Sequence, residues 1–192
     1  MGGGSSEVNA HYRIAPYEGV AAKLGETVRI GFEEGCTIHK LLPLVENTRL
    51  LAGAQGSVQG FQIEYFNADS PQGEPVVMVV GAGSSEMVWF GGLPAAVDPA
   101  RYAVRMTARF TPEQSGTFTA SLTSVGKSRL LVDGAVLIDN WSGWAAGQQG
   151  NYFGMGSDEQ RHTLELTAGR EYHLELHFQS ALNQPFSALR FG

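Results

Sequence analysis

The residues best suited to chemistry are aromatic and amide side chains crowded into one stretch. Between Asp139 and Ser157 stand Trp141, Trp144, Tyr152 and Phe153, with Asn140, Gln148, Gln149 and Asn151 among them. Gly143, Gly147, Gly150, Gly154 and Gly156 punctuate the stretch, which therefore reads as a loop. Flat rings cover apolar C–H faces, while amides donate to and accept from hydroxyls. A sugar offers both kinds of surface, so the stretch suits carbohydrate contact. Tyr152, Phe153 and then Trp144 are the candidates to approach such a ligand; the alternative is that Trp141 and Phe153 are plugs packed under the loop, and Trp141 reads more as packing.

Other chemistries have thinner support. His173, Glu175 and His177 alternate along one strand face, with Glu165 or His162 expected nearby. Zinc takes such nitrogen and oxygen ligands, but an isolated His-x-Glu-x-His on a strand reads as a solvated face. Cys36 has no histidine in an obvious arrangement and is expected to be buried. Gly81-Ala82-Gly83-Ser84-Ser85 lacks the Gly-Lys-Ser/Thr ending of a phosphate loop and reads as a turn. No cofactor is expected.

The loop hangs from a hairpin. Lys127 to Val132 and Ala135 to Trp141 flank Asp133-Gly134, a dipeptide that supplies the positive φ of a tight β-turn. Leu130, Val132, Val136 and Ile138 are expected on one face, with Leu131 and Leu137 on the other, which predicts an inner hairpin of a sandwich. Around it lie further candidate strands, of which Phe61–Phe66, Tyr102–Phe110, Thr117–Thr123, Arg161–Thr167 and Glu171–Ser180 alternate with period two. Pro75–Val80, Glu86–Phe90 and Ser187–Phe191 also read as strands. Ser124 to Ser128 is read as a turn. Eight to ten antiparallel strands predict a β-sandwich or jelly-roll-like barrel. Upstream, Pro16 to Gly25 reads as a short helix and Val28 to Phe32 as a strand, an α/β fragment too small for its own core. Residues 46–56 read as a linker.

Totals narrow the partners. The 192 residues carry a net charge of -6 with no basic cluster, which argues against nucleic acid. No apolar run is long enough to cross a bilayer as a helix, so no membrane partner is expected. Met1-Gly2-Gly3-Gly4-Ser5-Ser6 does not read as a signal peptide, and localisation is left open.

Several ordered motifs together resemble a known family. Ser115-Gly116-Thr117-Phe118, Arg129-Leu130-Leu131-Val132-Asp133-Gly134, Ile138-Asp139-Asn140-Trp141 and Ala168-Gly169-Arg170-Glu171-Tyr172 are similar to the protective-antigen-type, or PA-14, domain. The resemblance runs over 57–192 and implies a β-sandwich. Gly2-Gly3-Gly4-Ser5-Ser6, His11-Tyr12, Pro16-Tyr17-Glu18-Gly19-Val20 and Glu34-Gly35-Cys36 look like the α/β sandwich domain of glycoside hydrolase family 3, the β-glucosidase family, over residues 1–45. Some members of that family carry a PA-14 insertion.

The paired resemblance implies a non-catalytic specificity domain that leans over an active site on the rest of a family-3 hydrolase. Its ligand would be an oligosaccharide or β-glucoside. Gly150 to Ser157 resembles the stretch that reaches the pocket in those enzymes, which makes Tyr152, Phe153 and Asn151 candidate site residues, with Trp144, Gln148, Asn140 and Trp141 nominated from the chemistry of the same loop. Glycoside hydrolysis needs two carboxyl groups held about 5–10 Å apart, and no residue here maps onto the family's nucleophilic Asp or acid/base Glu. Sugar-binding adhesins of the fold hold Ca²⁺ with adjacent Asp residues. Here the corresponding stretch reads Ser124-Val125-Gly126-Lys127-Ser128, and only scattered Asp133, Asp139 and Asp158 remain, so calcium is not expected. The alternatives are an autonomous glycan-binding module and an oligomer-packing surface.

Overall fold

A computed structural model describes residues 11–25, 28–33, 35, 36, 38–53, 56, 58–181 and 184–192. The motif Gly2-Gly3-Gly4-Ser5-Ser6 and Glu34 lie outside the described residues. The chain forms two compact units, Met1–Ile38 and His39–Gly192.

In the first unit, helix α1 spans Pro16–Leu24. Pro16 opens it with its φ already helical, the Glu18 carboxylate accepts from the Ala15 N–H at 3.0 Å, and Gly25 closes it at φ 62°. Val28 to Phe32, expected as a strand, joins no ladder, and Phe32 instead meets Tyr17 edge-on at 6.4 Å. A strand needs a neighbour to take its backbone hydrogen bonds, and no other strand lies in this unit among the described residues. Cys36 is exposed, contrary to expectation, for want of a core to bury it.

The second unit holds all the strands among the described residues. They are β1 (Leu50–Ala52), β2 (Val58–Gln59), β3 (Phe61–Phe66), β4 (Val77–Ala82), β5 (Glu86–Trp89), β6 (Ala103–Phe110), β7 (Gly116–Val132), β8 (Ala135–Asn140), β9 (Gln160–Leu166), β10 (Tyr172–Ser180) and β11 (Ser187–Phe191). Every pairing is antiparallel. One half of the curled sheet runs β4-β3-β6-β10-β7-β8, with β1 and β2 extending from β6. The other half runs β5-β11-β7-β9. The expected mainly-β sandwich is the architecture found.

The 17-residue β7 belongs to both halves. Its first part pairs β9 and β11, and its second part pairs β10 and β8. Ser124 to Ser128, expected as a turn, is instead the place where this one strand crosses between layers. Gly126 sits there at φ 126°, and a Cβ would fall 2.4 Å from Gln179 O and 2.6 Å from Phe178 Cζ. Backbone of β10 passes so close that only glycine fits. Between the layers, Leu122, Leu130, Leu176, Phe178, Leu189 and Met106 form one buried cluster, with Trp89 stacked on Phe178 at 4.9 Å.

The hairpin forms as expected at its turn, with Asp133 at φ 50° and Gly134 at φ 80°. Its faces differ from the alternation. A bulge after Leu130 pairs Leu130 with Ile138 but Leu131 with Val136. Leu137 therefore turns toward the core and Val136 is exposed. β8 pairs only β7, so the hairpin is an inner strand with an edge strand, not an inner pair. A one-residue bulge reverses every side chain beyond it, and alternation alone does not announce it.

Candidate functional site

The loop between β8 and β9 divides into a buried base and an exposed tip. At the base, Asn140 is only 8% exposed. Its Nδ2 donates to Ser124 Oγ at 3.1 Å, Ser157 Oγ at 3.0 Å and Ser128 Oγ at 3.4 Å. Thr123 Oγ1 adds a bond to Ser157 O at 2.7 Å. This hydroxyl cluster lines the point where β7 crosses between layers, where buried polar groups must find each other. Asn151 is 4% exposed and its Nδ2 donates to Ser157 O at 3.2 Å and Gln149 Oε1 at 3.3 Å. The Asn140 amide thus holds the loop to β7, and the Asn151 amide braces the loop against itself.

The tryptophans separate. Trp144 is half-buried and its Nε1 donates to Ser124 O at 3.2 Å. Trp141 lies under the Arg129 guanidinium at 4.5 Å, an attractive cation–ring contact. Arg129 is in register with His177, so Trp141 belongs to the outer sheet face, apart from the tip. Gln148 is exposed.

The tip is a single turn, Asn151–Gly154, preceded by Gly150 at φ 67°. Tyr152 (φ 50°, ψ 52°) and Phe153 (φ 60°, ψ 28°) are both left-handed. A non-glycine residue there costs about 1–2 kcal/mol, so two in succession persist only if the surroundings hold them. Met155 N–H donates to Tyr152 O at 3.1 Å and Gly156 N–H to Asn151 O at 3.0 Å. The Tyr152 hydroxyl donates to Glu86 Oε1 at 2.9 Å. Burial, then that carboxylate, pushes the Tyr152 hydroxyl well above the usual tyrosine range, so it stays a donor. Gly156 leaves room for the Tyr152 ring, since a Cβ there would come within 2.8 Å of it.

This backbone turns Phe153 outward, 87% exposed. Its ring meets Phe186 edge-on at 6.4 Å, as does Tyr152 at 6.4 Å. Phe90, 66% exposed, stacks on Phe186 at 4.4 Å. Phe186 itself is buried with Val125 and Ala188. Two exposed rings therefore share one buried ring as their base. The sequence reading missed Phe90, Phe186 and Glu86. Phe90 carries a signal, an aromatic directly before Gly91-Gly92, but Glu86 lies 66 residues from Tyr152 and nothing local marks their pairing.

Other candidates stay apart. Glu175 and His177 are in contact, and their row continues sideways to Arg105 and Arg129. Asp133 binds Arg170 at 2.7 Å, Asp139 accepts from Trp141 N–H at 2.8 Å, and Asp158 accepts from Gln149 N–H at 2.7 Å. Among the described residues no group of three His, Cys, Asp or Glu could hold a metal ion. An apolar gap of about 110 Å³ opens between the layers, lined by Phe118, Leu130, Leu137, Leu164 and Phe191 among others, and includes no tip residue. Such a carbon-lined wall gives sugar hydroxyls no partner.

Fold and loop define the class: an antiparallel β-sandwich module displaying a strained, aromatic, glycine-flanked tip. The chain belongs to the PA14 domain family, whose pattern it matches over residues 57–188. A β-glucosidase of Rhizobium radiobacter is 33% identical over 199 aligned residues, covering 100% of this chain and 22% of that protein. β-Glucosidase B of Emericella nidulans is 36% identical over 138 residues, 72% of this chain and 15% of its own length. The crystal structure of a β-glucosidase from Kluyveromyces marxianus shares the fold with a TM-score of 0.72 at 23% identity, over 100% of this chain and 23% of that one. The chain thus spans about a fifth of the relatives it matches. The resemblance read from the sequence, a PA14 domain of the kind inserted in family-3 β-glucosidases, is borne out.

Proposed function

We propose that this chain is a non-catalytic carbohydrate-recognition domain of a family-3 β-glucosidase, with residues 1–45 belonging to that enzyme's α/β sandwich domain. Its tip narrows the outer sugar subsite, and the reaction runs on the remainder of the hydrolase. Phe153 offers a ring face to the ligand and Tyr152 supports it. Gln148 supplies an exposed amide, Trp144, Asn151 and Asn140 carry the loop from beneath, and Trp141 anchors its start on Arg129 at the outer sheet face. Phe90 joins Phe153 as a second exposed ring.

One observation carries this reading: a phenylalanine 87% exposed on left-handed backbone. Folding gains little from a ring left in water and loses from such a backbone, so a benefit to binding is the economical account. The test is kcat/KM of the full-length enzyme for β-glucosides of increasing length, with Phe153→Ala and Tyr152→Ala. Selectivity is a ratio of these values, so altered ratios support the reading and unaltered ratios end it.

A second reading, an autonomous glycan-binding module, draws on the same exposed pair of rings, since a ring platform binds sugar without a neighbouring domain. Calorimetric titration of the 192-residue chain with cello-oligosaccharides, with and without Ca²⁺, separates the two. Saturable heat favours the module, and its absence favours the subsite wall.

A further inference from the structure

The tip is tied to a distant piece of chain by two hydrogen-bonded routes that meet on one residue. Residues 42–45 run along the sandwich, where Pro43 lies against Gly192 and Val45 packs on the core. Within that strap, the Leu42 C=O accepts from Arg190 Nη2 at 2.9 Å. Arg190 Nη1 donates to Glu86 Oε2 at 3.2 Å, and Glu86 Oε1 accepts from Tyr152 at 2.9 Å. On the other side, the Leu42 N–H donates to Glu159 Oε1 at 2.8 Å. The Glu159 N–H donates to Gln149 Oε1 at 3.2 Å, and the same oxygen accepts from Asn151 Nδ2 at 3.3 Å. Both routes start at Leu42 and end at adjacent residues of the tip.

We propose that Glu86 and Glu159 are positioning residues that set the direction of Phe153 by clamping Tyr152 and Asn151 to the Leu42 backbone. This rests on the subsite reading above and deepens it. Neither carboxylate needs to touch the ligand. Each acts as an acceptor at a fixed place, and the specificity of the site depends on how firmly the tip is held. The routes are built from one arginine fork, two carboxylates and one amide; Gln149 and Glu159 flank the tip in sequence, whereas Glu86 and Arg190 lie far from it. Glu159 is further locked by Arg161, whose Nε donates to Oε2 at 2.6 Å.

Hydrogen exchange on the 192-residue chain tests the clamp without reference to any ligand. Tyr152→Phe keeps the ring and removes only the tether, so Met155 and Gly156 amides are expected to exchange about tenfold faster, the equivalent of one lost hydrogen bond. Glu86→Gln keeps an acceptor for Tyr152 but turns a donor toward Arg190, so its exchange is expected to lie between the parent and Glu86→Ala, which is expected to match Tyr152→Phe. In the full-length enzyme, Tyr152→Phe is expected to change the chain-length ratio of kcat/KM in the same direction as Phe153→Ala, by about three- to tenfold. Unchanged exchange in Tyr152→Phe overturns the clamp. A ratio that responds to Phe153→Ala but not to Tyr152→Phe overturns the positioning role and leaves the subsite reading standing. Faster exchange with no response to Phe153→Ala overturns the subsite reading and, with it, the specificity role.

Discussion

Tyr152 and Glu86 meet at 2.9 Å across 66 residues of sequence, and that bond joins two consecutive left-handed residues to β5. Its two ends differ in kind. Glu86 also receives Arg190 at 3.2 Å and is part of the sandwich, whereas Tyr152 is part of a loop that displays an exposed ring. Substitutions on the two sides of this bond are therefore expected to have distinct signatures.

Phe153→Gly is expected to leave the fold at least as stable as the parent. Glycine relieves left-handed backbone worth about 1 kcal/mol, partly offset by the greater freedom of the unfolded chain. Guanidinium unfolding of the two chains checks this. A loss above about 1 kcal/mol would show the ring to be structural.

Asn140→Ala is expected to lower stability by about 2–3 kcal/mol, because Ser124, Ser128 and Ser157 lose their shared donor in a buried place. Gln148→Ala, at an exposed position of the same loop, is expected to change stability by less than about 0.5 kcal/mol. Thermal unfolding of the pair distinguishes the structural base of the loop from its accessible surface.

Gly126→Ala is expected to prevent stable folding. The new methyl would meet Gln179 O at 2.4 Å and the Phe178 ring at 2.6 Å, at φ 126°. A clash of this kind with backbone exceeds about 4 kcal/mol. Gly134→Ala, with open space around it and φ 80°, is expected to cost about 1–2 kcal/mol and to fold. Soluble yield and circular dichroism report both.

Stability is expected to fall on both sides of neutral pH for named reasons. Burial alone would raise the Glu159 pKa, but the Leu42 N–H, Arg161 and Ser121 together hold it below its ordinary 4.5. The unfolded chain then binds a proton first as pH drops. This contribution is fully present above the unfolded value and is lost as pH falls through the folded one. Burial, opposed in part by a bond to Ser187, pushes Tyr102 up from 10.0 to about 12. Its contribution is present below pH 10 and is lost as pH rises toward about 12. Glu159→Gln should flatten the acid limb and Tyr102→Phe the alkaline one, measured by urea unfolding across pH.

Much of the architecture is legible in the sequence because period two and turn chemistry are local. Tyr102 to Phe110 and Tyr172 to Phe178 bury the alternate residues expected of them, since a half-buried strand has no other way to hide its apolar side chains. Asp133-Gly134 turns where it should because positive φ is cheapest there. The loop from Asp139 to Ser157 stands out through its glycines and rings.

Tertiary structure decided the rest, because each remaining feature depends on what lies opposite. Ser124 to Ser128 became the crossing of one long strand, not a turn, once β10 and β11 were available to pair its two ends. The bulge after Leu130 sent Leu137 inward and Val136 outward. Asn140, alike in sequence to any ligand-binding amide, was drawn into the hydroxyls of β7 and Ser157, and Asn151 onto the Ser157 carbonyl. Phe153 was left in water because Phe186 and Glu86, distant in sequence, occupy and orient the ground beside it. Local chemistry specifies which residues form strands and where the chain turns, but partner, face and exposure are settled only when separate segments compete for the same space and the same hydrogen bonds.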